Sequence, residues 1–195
     1  PLDSRDLDGD GNTTEKIPLD LAGNIRVVGA NVDLGAYEGA ELSPAPTPAN
    51  VRTIFVRANA GGSNNGTSWV DAFTSLQDAL AAARSGDTIW VAGGTYKPTA
   101  GTDRSATFTL KNQVEIYGGF AGSETSLSQR NVATNATILS GDIGTINTVT
   151  DNVYHVVTGS NTSNTTILDG FTISGGNANG TGTNQGAGGG IFISD

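Results

Sequence analysis

From Asp87 onward the chain repeats one pattern: a short apolar run, a glycine, then a polar loop. The runs are "TIWVAGG", "VEIYGGF", "TILSGD", "YHVVTGS" and "FTISGG", each rich in β-branched or aromatic residues and each predicted to be a strand. With Gly93, Gly118, Gly141, Gly159 and Gly175 as markers the separations are 25, 23, 18 and 16 residues, longer than the turn spacing of a β-sandwich. This is a degenerate repeat, in which no unit buries its apolar face alone and stacking supplies the core. No crossover helices lie between the runs, which excludes a doubly wound sheet, and the loops are too long for a ladder of tight hairpins. The expected fold is all-β: a right-handed parallel β-helix, or solenoid, with Ile, Val, Leu and Phe stacked inward and Asn and Thr at the corners.

Upstream the pattern differs. "VRTIFVRANA" reads as a strand, and the following segment contains the one convincing helix, with Leu76, Leu80 and Ala83 as its apolar stripe. Thr74 with Gln77 is expected to form a capping box and Gly86 to end the helix, which makes an amphipathic N-terminal cap of about ten residues. "AELSPAPTPAN", with three alternating prolines, is an extended linker. Before it, Ile25 to Val28 and Val32 to Tyr37 read as two strands turning at Gly29 to Asn31, a pair too small to stand alone. The expected organisation is therefore 1–40, closing strands with an Asp-rich loop; 41–50, linker; and 51–195, cap and first coils. The chain opens on Pro1 and closes on "GGGIFISD" within a strand pattern, so both ends are expected to be cut from something longer.

Composition narrows the function classes. With 28 glycines among 195 residues a helix bundle is disfavoured, and a hydrophobic share of 36% in regular bursts argues against disorder. A net charge of −9 repels phosphate backbones and anionic lipid heads, so no nucleic-acid partner is expected, and no apolar run is long enough to insert in a membrane. The acids gather at the front: residues 1–50 carry nine acids against three bases, and residues 51–195 ten against seven. Cys and Met are absent, so neither disulfides nor thiolate metal sites contribute.

The front acids include "DLDGDGN", which has the register of a calcium loop. Asp6, Asp8 and Asp10 stand at positions 1, 3 and 5, Gly11 at the sharp turn, and Asn12 at the position whose carbonyl ligates. Position 12 is Ile17 rather than Glu, Glu15 or Asp20 would have to substitute, and Pro18 rules out the usual exit helix. The predicted metal set is Asp6, Asp8, Asp10, Asn12 and Glu15, with calcium as a clip; the competing reading is a solvated acidic turn.

Other chemistry is thinner. His155, the only histidine, lies in "VYHVV", where alternation faces it opposite Tyr154 and Val156, and it reads as a strand residue rather than a catalyst. Asp103, Glu115, Glu124, Asp142, Asp151 and Asp169 are scattered, and Lys97, Arg104 and Arg130 have no evident carboxylate companion at coil spacing, so no catalytic residues are assigned. Trp69, Trp90, Tyr96 and Tyr117 form either a sugar-stacking platform or a seal on the first coil beneath the helix. Six N-x-S/T sequons, at Asn12, Asn65, Asn135, Asn161, Asn164 and Asn179, place these loops on the surface.

"ILDGFTISGGNANG" with "GAGGGIFIS", and "SGDTIWVAGGTYKP", resemble bacterial secreted and surface β-helix proteins of the pectin-lyase-like superfamily. "DLAGNIRVVGANVDLGAYEGA" is similar to the closing strands that precede a C-terminal surface-anchoring region in such proteins. Here the closing motif comes first. The resemblance implies an extracellular or cell-surface location and a structural or adhesive role, with the partner a neighbouring β-helix domain or an identical subunit, and surface glycans as further targets. A polysaccharide lyase, or a passive glycan-binding module, is the alternative it leaves open.

Overall fold

The computed structural model describes residues 27–28, 31–32 and 51–194, and the chain divides into two units, Pro1–Asn50 and Val51–Asp195. In the first unit, β1 (Val27–Val28) and β2 (Asn31–Val32) pair antiparallel, Val27 with Val32 and Val28 with Asn31. Asn31 thus belongs to a strand, not to the turn expected to include it. The linker residues 41–50 lie outside the described residues.

The second unit is β-rich, with one α-helix. Its elements in chain order are β3 (Thr53–Val56), α1 (Leu76–Ala82), β4 (Thr88–Ala92), β5 (Gly94–Tyr96), β6 (Phe108–Thr109), β7 (Glu115–Phe120), β8 (Thr137–Ser140), β9 (Val157–Ser160), β10 (Ile167–Asp169), β11 (Phe171–Ser174) and β12 (Ile191–Ser194). They form three sheets, with strand orders β10-β7-β4-β3, β11-β8-β5 and β12-β9-β6, and every strand pairing in this unit is parallel. β3 joins the first sheet alone; from β4 onward the chain visits the first, second and third sheet in turn and then begins again, so each circuit adds one strand to each sheet.

Register explains why short strands suffice. Ile54, Ile89, Ile116 and Leu168 stand directly over one another in the first sheet, Tyr96, Leu139 and Ile173 in the second, and Phe108, Val157 and Ile191 in the third. The first two or three members of each column, counted from the β3 end, are buried, and each full burial is worth roughly 1.5–3 kcal/mol. Burial fades along the columns: Ile191 and Ile193 in β12 are 46% and 49% exposed.

The helix lies at the β3 end. Leu76, Ala79 and Leu80 are buried in the same core as Ile54 and Phe108. Its cap differs from expectation. Ser75, not Thr74, accepts the Gln77 backbone N–H, while the Gln77 side chain donates to the carbonyls of Pro98 and Thr107, tying the helix to the loop before β6. Ala83 is already extended, so the helix has seven residues, and Gly86 (φ +89°) turns the chain three residues later. β3 does not present a bare edge, because Phe55 and Arg57 donate to Gly66 and Phe73 of the loop that follows it.

The marker glycines do not fall one per circuit. Gly93 follows β4, Gly118 lies within β7, Gly141 and Gly175 follow second-sheet strands, and Gly159 lies in the third sheet. True circuits are uneven because the loops differ so much in length: Thr88 to its partner Glu115 is 27 residues, but Glu115 to Ile167 is 52. Two corners have a single residue, Gly93 between β4 and β5 and Gly170 (φ +82°) between β10 and β11, and at Gly170 a Cβ would stand 2.8 Å from the Gly118 carbonyl oxygen.

An open groove on the third sheet as candidate functional site

The outward residues of the third sheet are Thr109, Thr158 and Phe192, aligned across β6, β9 and β12. The threonine hydroxyls form a short ladder: Thr107, just before β6, and Thr109 meet the Thr158 hydroxyl at 3.3 and 3.4 Å. β-branched threonine suits the pleat and presents its oxygen to the outside. Over this face the long connections 97–107 and 175–190 rise as walls and leave a groove of about 330 Å³.

His155 and Tyr154 both line that groove, contrary to the alternation expected of "VYHVV". β9 starts only at Val157, and a bend before it puts Val156 and Val157 both in the core, so Tyr154 and His155 are freed to share one surface. His155 Nδ1 lies 3.1 Å from the Gly188 carbonyl oxygen and must carry the proton to bond it, which leaves Nε2 available. Its ring packs on Phe192 at 5.1 Å between centroids. Tyr154 is backed by Arg104, whose guanidinium lies 4.2 Å from the ring centroid and donates to the Asn152 carbonyl, the Asn177 carbonyl and Asn179 Oδ1. Arg104 thus joins three successive circuits behind the groove.

The rest of the lining is hydroxyl and amide, including Ser105, Ser160, Asn184 and Gln185; among the described residues no Asp, Glu, Lys or Arg lines it. Such a surface offers hydrogen bonds and aromatic faces without fixed charge. It suits an uncharged polyhydroxylated ligand and offers no carboxylate pair for acid and base catalysis.

The four aromatics singled out from sequence do not come together as one platform, nor do they sit together beneath the helix. Tyr96 is in the core, its hydroxyl donating 2.9 Å to the Ala92 carbonyl, and burial pushes its pKa up to about 12. Trp69 and Trp90 join Phe55 and Phe120 on the outer side of the first sheet; Trp90 stacks on Phe120 at 4.7 Å, and Trp69 meets Phe55 edge-on at 4.8 Å. Trp69 Nε1 donates 2.8 Å to the Glu124 carbonyl. Burial would raise the Glu124 carboxyl, but backbone N–H groups of Ala121, Ser123 and Gly122 hold it below the usual carboxylate range.

Tyr117 stands apart from that cluster, beside Arg130. Here the expectation of isolated bases fails: Arg130 pairs with Asp169, and its guanidinium lies 5.1 Å from the centroid of the Tyr117 ring, while the Tyr117 hydroxyl donates to Glu115 at 3.3 Å. The companion was hidden because Asp169 stands over Tyr117 only through a 52-residue circuit. Burial, then the Glu115 charge, pushes the Tyr117 hydroxyl up.

Asp6, Asp8, Asp10, Asn12 and Glu15 lie outside the described residues. Among the described residues no three of His, Asp or Glu gather as a metal cluster, and no helix is long and apolar enough to cross a membrane. Compared with protein-family models, curated proteins and solved structures, the chain matches none of them.

Proposed function

We propose that Val51–Asp195 is a length of right-handed parallel β-helix serving a structural and adhesive role in a large extracellular or cell-surface protein, with calcium stiffening the Asp-rich loop at Asp6, Asp8, Asp10, Asn12 and Glu15. The observation that carries this reading is the strand order: three parallel sheets, each gaining one strand per circuit, around continuous apolar columns. Right-handedness follows from the strong bias of parallel crossover connections. Such an arrangement lengthens by adding circuits and resists local opening, because each circuit is hydrogen-bonded to its neighbours on three sides. The partners are neighbouring β-helix domains or identical subunits. Negative-stain images of the full chain test it: fibres or rods with a regular axial repeat are the expected result, and only compact monomers would count against assembly.

The groove favours a second reading, a non-catalytic glycan-binding face, since it combines Phe192, Tyr154 and His155 with uncharged hydroxyls and amides. Retention of neutral glycans on an array, lost in Phe192→Ala but kept in Trp90→Phe, is the expected pattern. Turnover of pectin, alginate or glycosaminoglycans would instead establish a carbohydrate-active enzyme.

A further inference from the structure

If the third-sheet groove is a neutral-glycan face, its polar atoms also say which sugar it selects. Most of the lining is hydroxyl, and a hydroxyl donates or accepts as its partner requires. Two side chains are less adaptable, because the fold has already used one end of each. His155 Nδ1 is spent on the Gly188 carbonyl at 3.1 Å, so Nε2 is an acceptor only, and it has no partner among the described residues. Gln185 Oε1 accepts the Gly182 N–H at 3.2 Å, so its amide nitrogen is the end left to donate. The two lie on one stretch of the groove: a Cβ on Gly180 would stand 2.4 Å from Gln185 Oε1 and 2.8 Å from Tyr154 Cε1, which sets Gln185 beside the ring of the residue preceding His155. The His155 ring in turn packs on Phe192, 5.1 Å between centroids, so an apolar face adjoins the fixed acceptor.

A fixed acceptor, a fixed donor and an apolar face in one groove of about 330 Å³ match the three parts of an acetamido group, its N–H, carbonyl and methyl. A plain sugar hydroxyl makes no use of the fixed directions and has no methyl to remove from water. We propose that the groove selects N-acetylated sugars: His155 Nε2 accepts the acetamido N–H, the Gln185 amide donates to its carbonyl, and the methyl lies on Phe192. The ring hydroxyls of such a sugar meet Thr109, Thr158 and Ser160, which gives a saccharide more partners here than a peptide amide would find.

Acid reverses the selection. A protonated imidazole donates from both nitrogens, and an amide N–H cannot accept, whereas a hydroxyl can. No other charge in the groove masks this change: β6, β9 and β12 present only uncharged groups to His155, and 175–190 contains no charged residue. The charged residues of the opposite wall, Lys97, Asp103 and Arg104, do not line the groove; Asp103 accepts from Ser105, and Arg104 lies behind the Tyr154 ring.

Calorimetry on the full chain with tri-N-acetylchitotriose and cellotriose, neutral probes that differ by the acetamido group, tests the assignment. At about pH 8 the acetylated sugar should bind at least about tenfold tighter. At about pH 5, past the range in which imidazoles gain their second proton, the ratio should fall to about twofold or less. His155→Phe keeps an aromatic ring against Phe192 and removes both nitrogens, and should bring the ratio to about twofold at either pH. The pH comparison uses the unmodified chain, so it decides the matter even if His155→Phe does not fold. Equal affinities at the higher pH would overturn the acetamido assignment and leave the glycan face standing. A preference that survives either acid or a folded His155→Phe would overturn it too, because other residues would then be reading the acetamido group. If neither sugar binds, the assignment falls together with the glycan reading.

Discussion

The outer faces of the first and third sheets are built on the same parallel ladder and end up as opposites. On the first, Phe55, Trp90 and Tyr117 align across β3, β4 and β7, and Trp69 and Phe120 close over Phe55 and Trp90 until Trp90 is 9% exposed. On the third, threonines occupy the equivalent outward positions until Phe192, and the covering loops stand back to leave a groove. Large aromatics invite a second layer because their faces gain more from packing than from water. Hydroxyl ladders are content in water and leave the surface accessible. The tryptophans, the first residues one would suspect of gripping a ligand, are therefore structural here, and the aromatics that line the accessible face are Tyr154, His155 and Phe192.

Trp90→Ala tests this contrast most severely. It deletes the centre of the first-sheet cluster, stacked on Phe120 and edge-on to Phe55, and should cost about 3–5 kcal/mol, as large aromatic truncations in cores do. Chemical denaturation would read it as a lower midpoint with an unchanged slope. A loss under about 1 kcal/mol would mean the face is not a packed layer.

The next effect is smaller and depends on pH. Asp87, 3% exposed at the start of β4, accepts from the Arg52 side chain at 2.5 Å and from the Arg84 N–H at 2.9 Å. Burial would raise its carboxyl, but the Arg52 side chain, the Arg84 N–H and the Arg52 N–H outweigh it and hold the carboxyl below the usual range. A lowered folded-state value means stability that is present above the unfolded value near 4 and lost as pH falls through the folded one. Asp87→Asn should cost about 2 kcal/mol at pH 7, discounted from a fully buried pair because the Arg52 side chain is 42% exposed. It should also flatten the fall in melting temperature below about pH 4. An acid limb as steep as in the unmodified chain would assign it to Asp71, Asp103 and Glu124, whose carboxyls are also held low by hydrogen bonds.

How much of this was legible in the sequence follows from contact range. β4, β7, β8, β9 and β11 announce themselves through local apolar runs ending near glycine, β3 and β12 through apolar runs alone, and the helix through its amphipathic stripe. β5, β6 and β10 do not, because a strand of two or three residues carries too little periodicity to read. The groove was hidden for two reasons. The bend at Tyr154 to Val156 broke the alternation that placed His155, and the walls at 97–107 and 175–190 meet it only through circuits of uneven length. Arg130 with Asp169, and Arg104 with Asn177, are likewise partners across one circuit or more, invisible without the register. The helix cap was misplaced by one residue since Thr74 and Ser75 are equally good cap formers, and Gln77 found better acceptors in the tertiary fold.

Arg104 is to the third sheet what Arg52 is to the first, but it pairs with carbonyls instead of a carboxylate. Arg104→Lys retains the charge and loses the fork that reaches Asn152, Asn177 and Asn179 together, so it should cost about 1 kcal/mol and loosen Tyr154. Proteolysis at 175–190 should accelerate while the α1 end stays protected; equal sensitivity at both ends would show that Arg104 does not clamp the circuits.

Phe192→Ala should be the mildest of the four for stability and so the sharpest for function. Phe192 packs against the His155 ring at the groove and faces outward, unlike its strand neighbours Ile191 and Ile193, which continue the inward columns. Truncation there should lower the melting temperature by a degree or two, equivalent to about 0.5 kcal/mol for a domain of this size. Because the fold would be intact, any binding to the third-sheet face that depends on an aromatic surface must disappear with it, and binding that survives belongs elsewhere. Trp90→Phe gives the mirror result if the two faces differ as argued: stability falls, since the indole fills the cluster more fully than a benzyl ring, while whatever the groove retains is kept. If instead Trp90→Phe abolishes binding and Phe192→Ala does not, the accessible face is the first sheet and the contrast between the two is reversed.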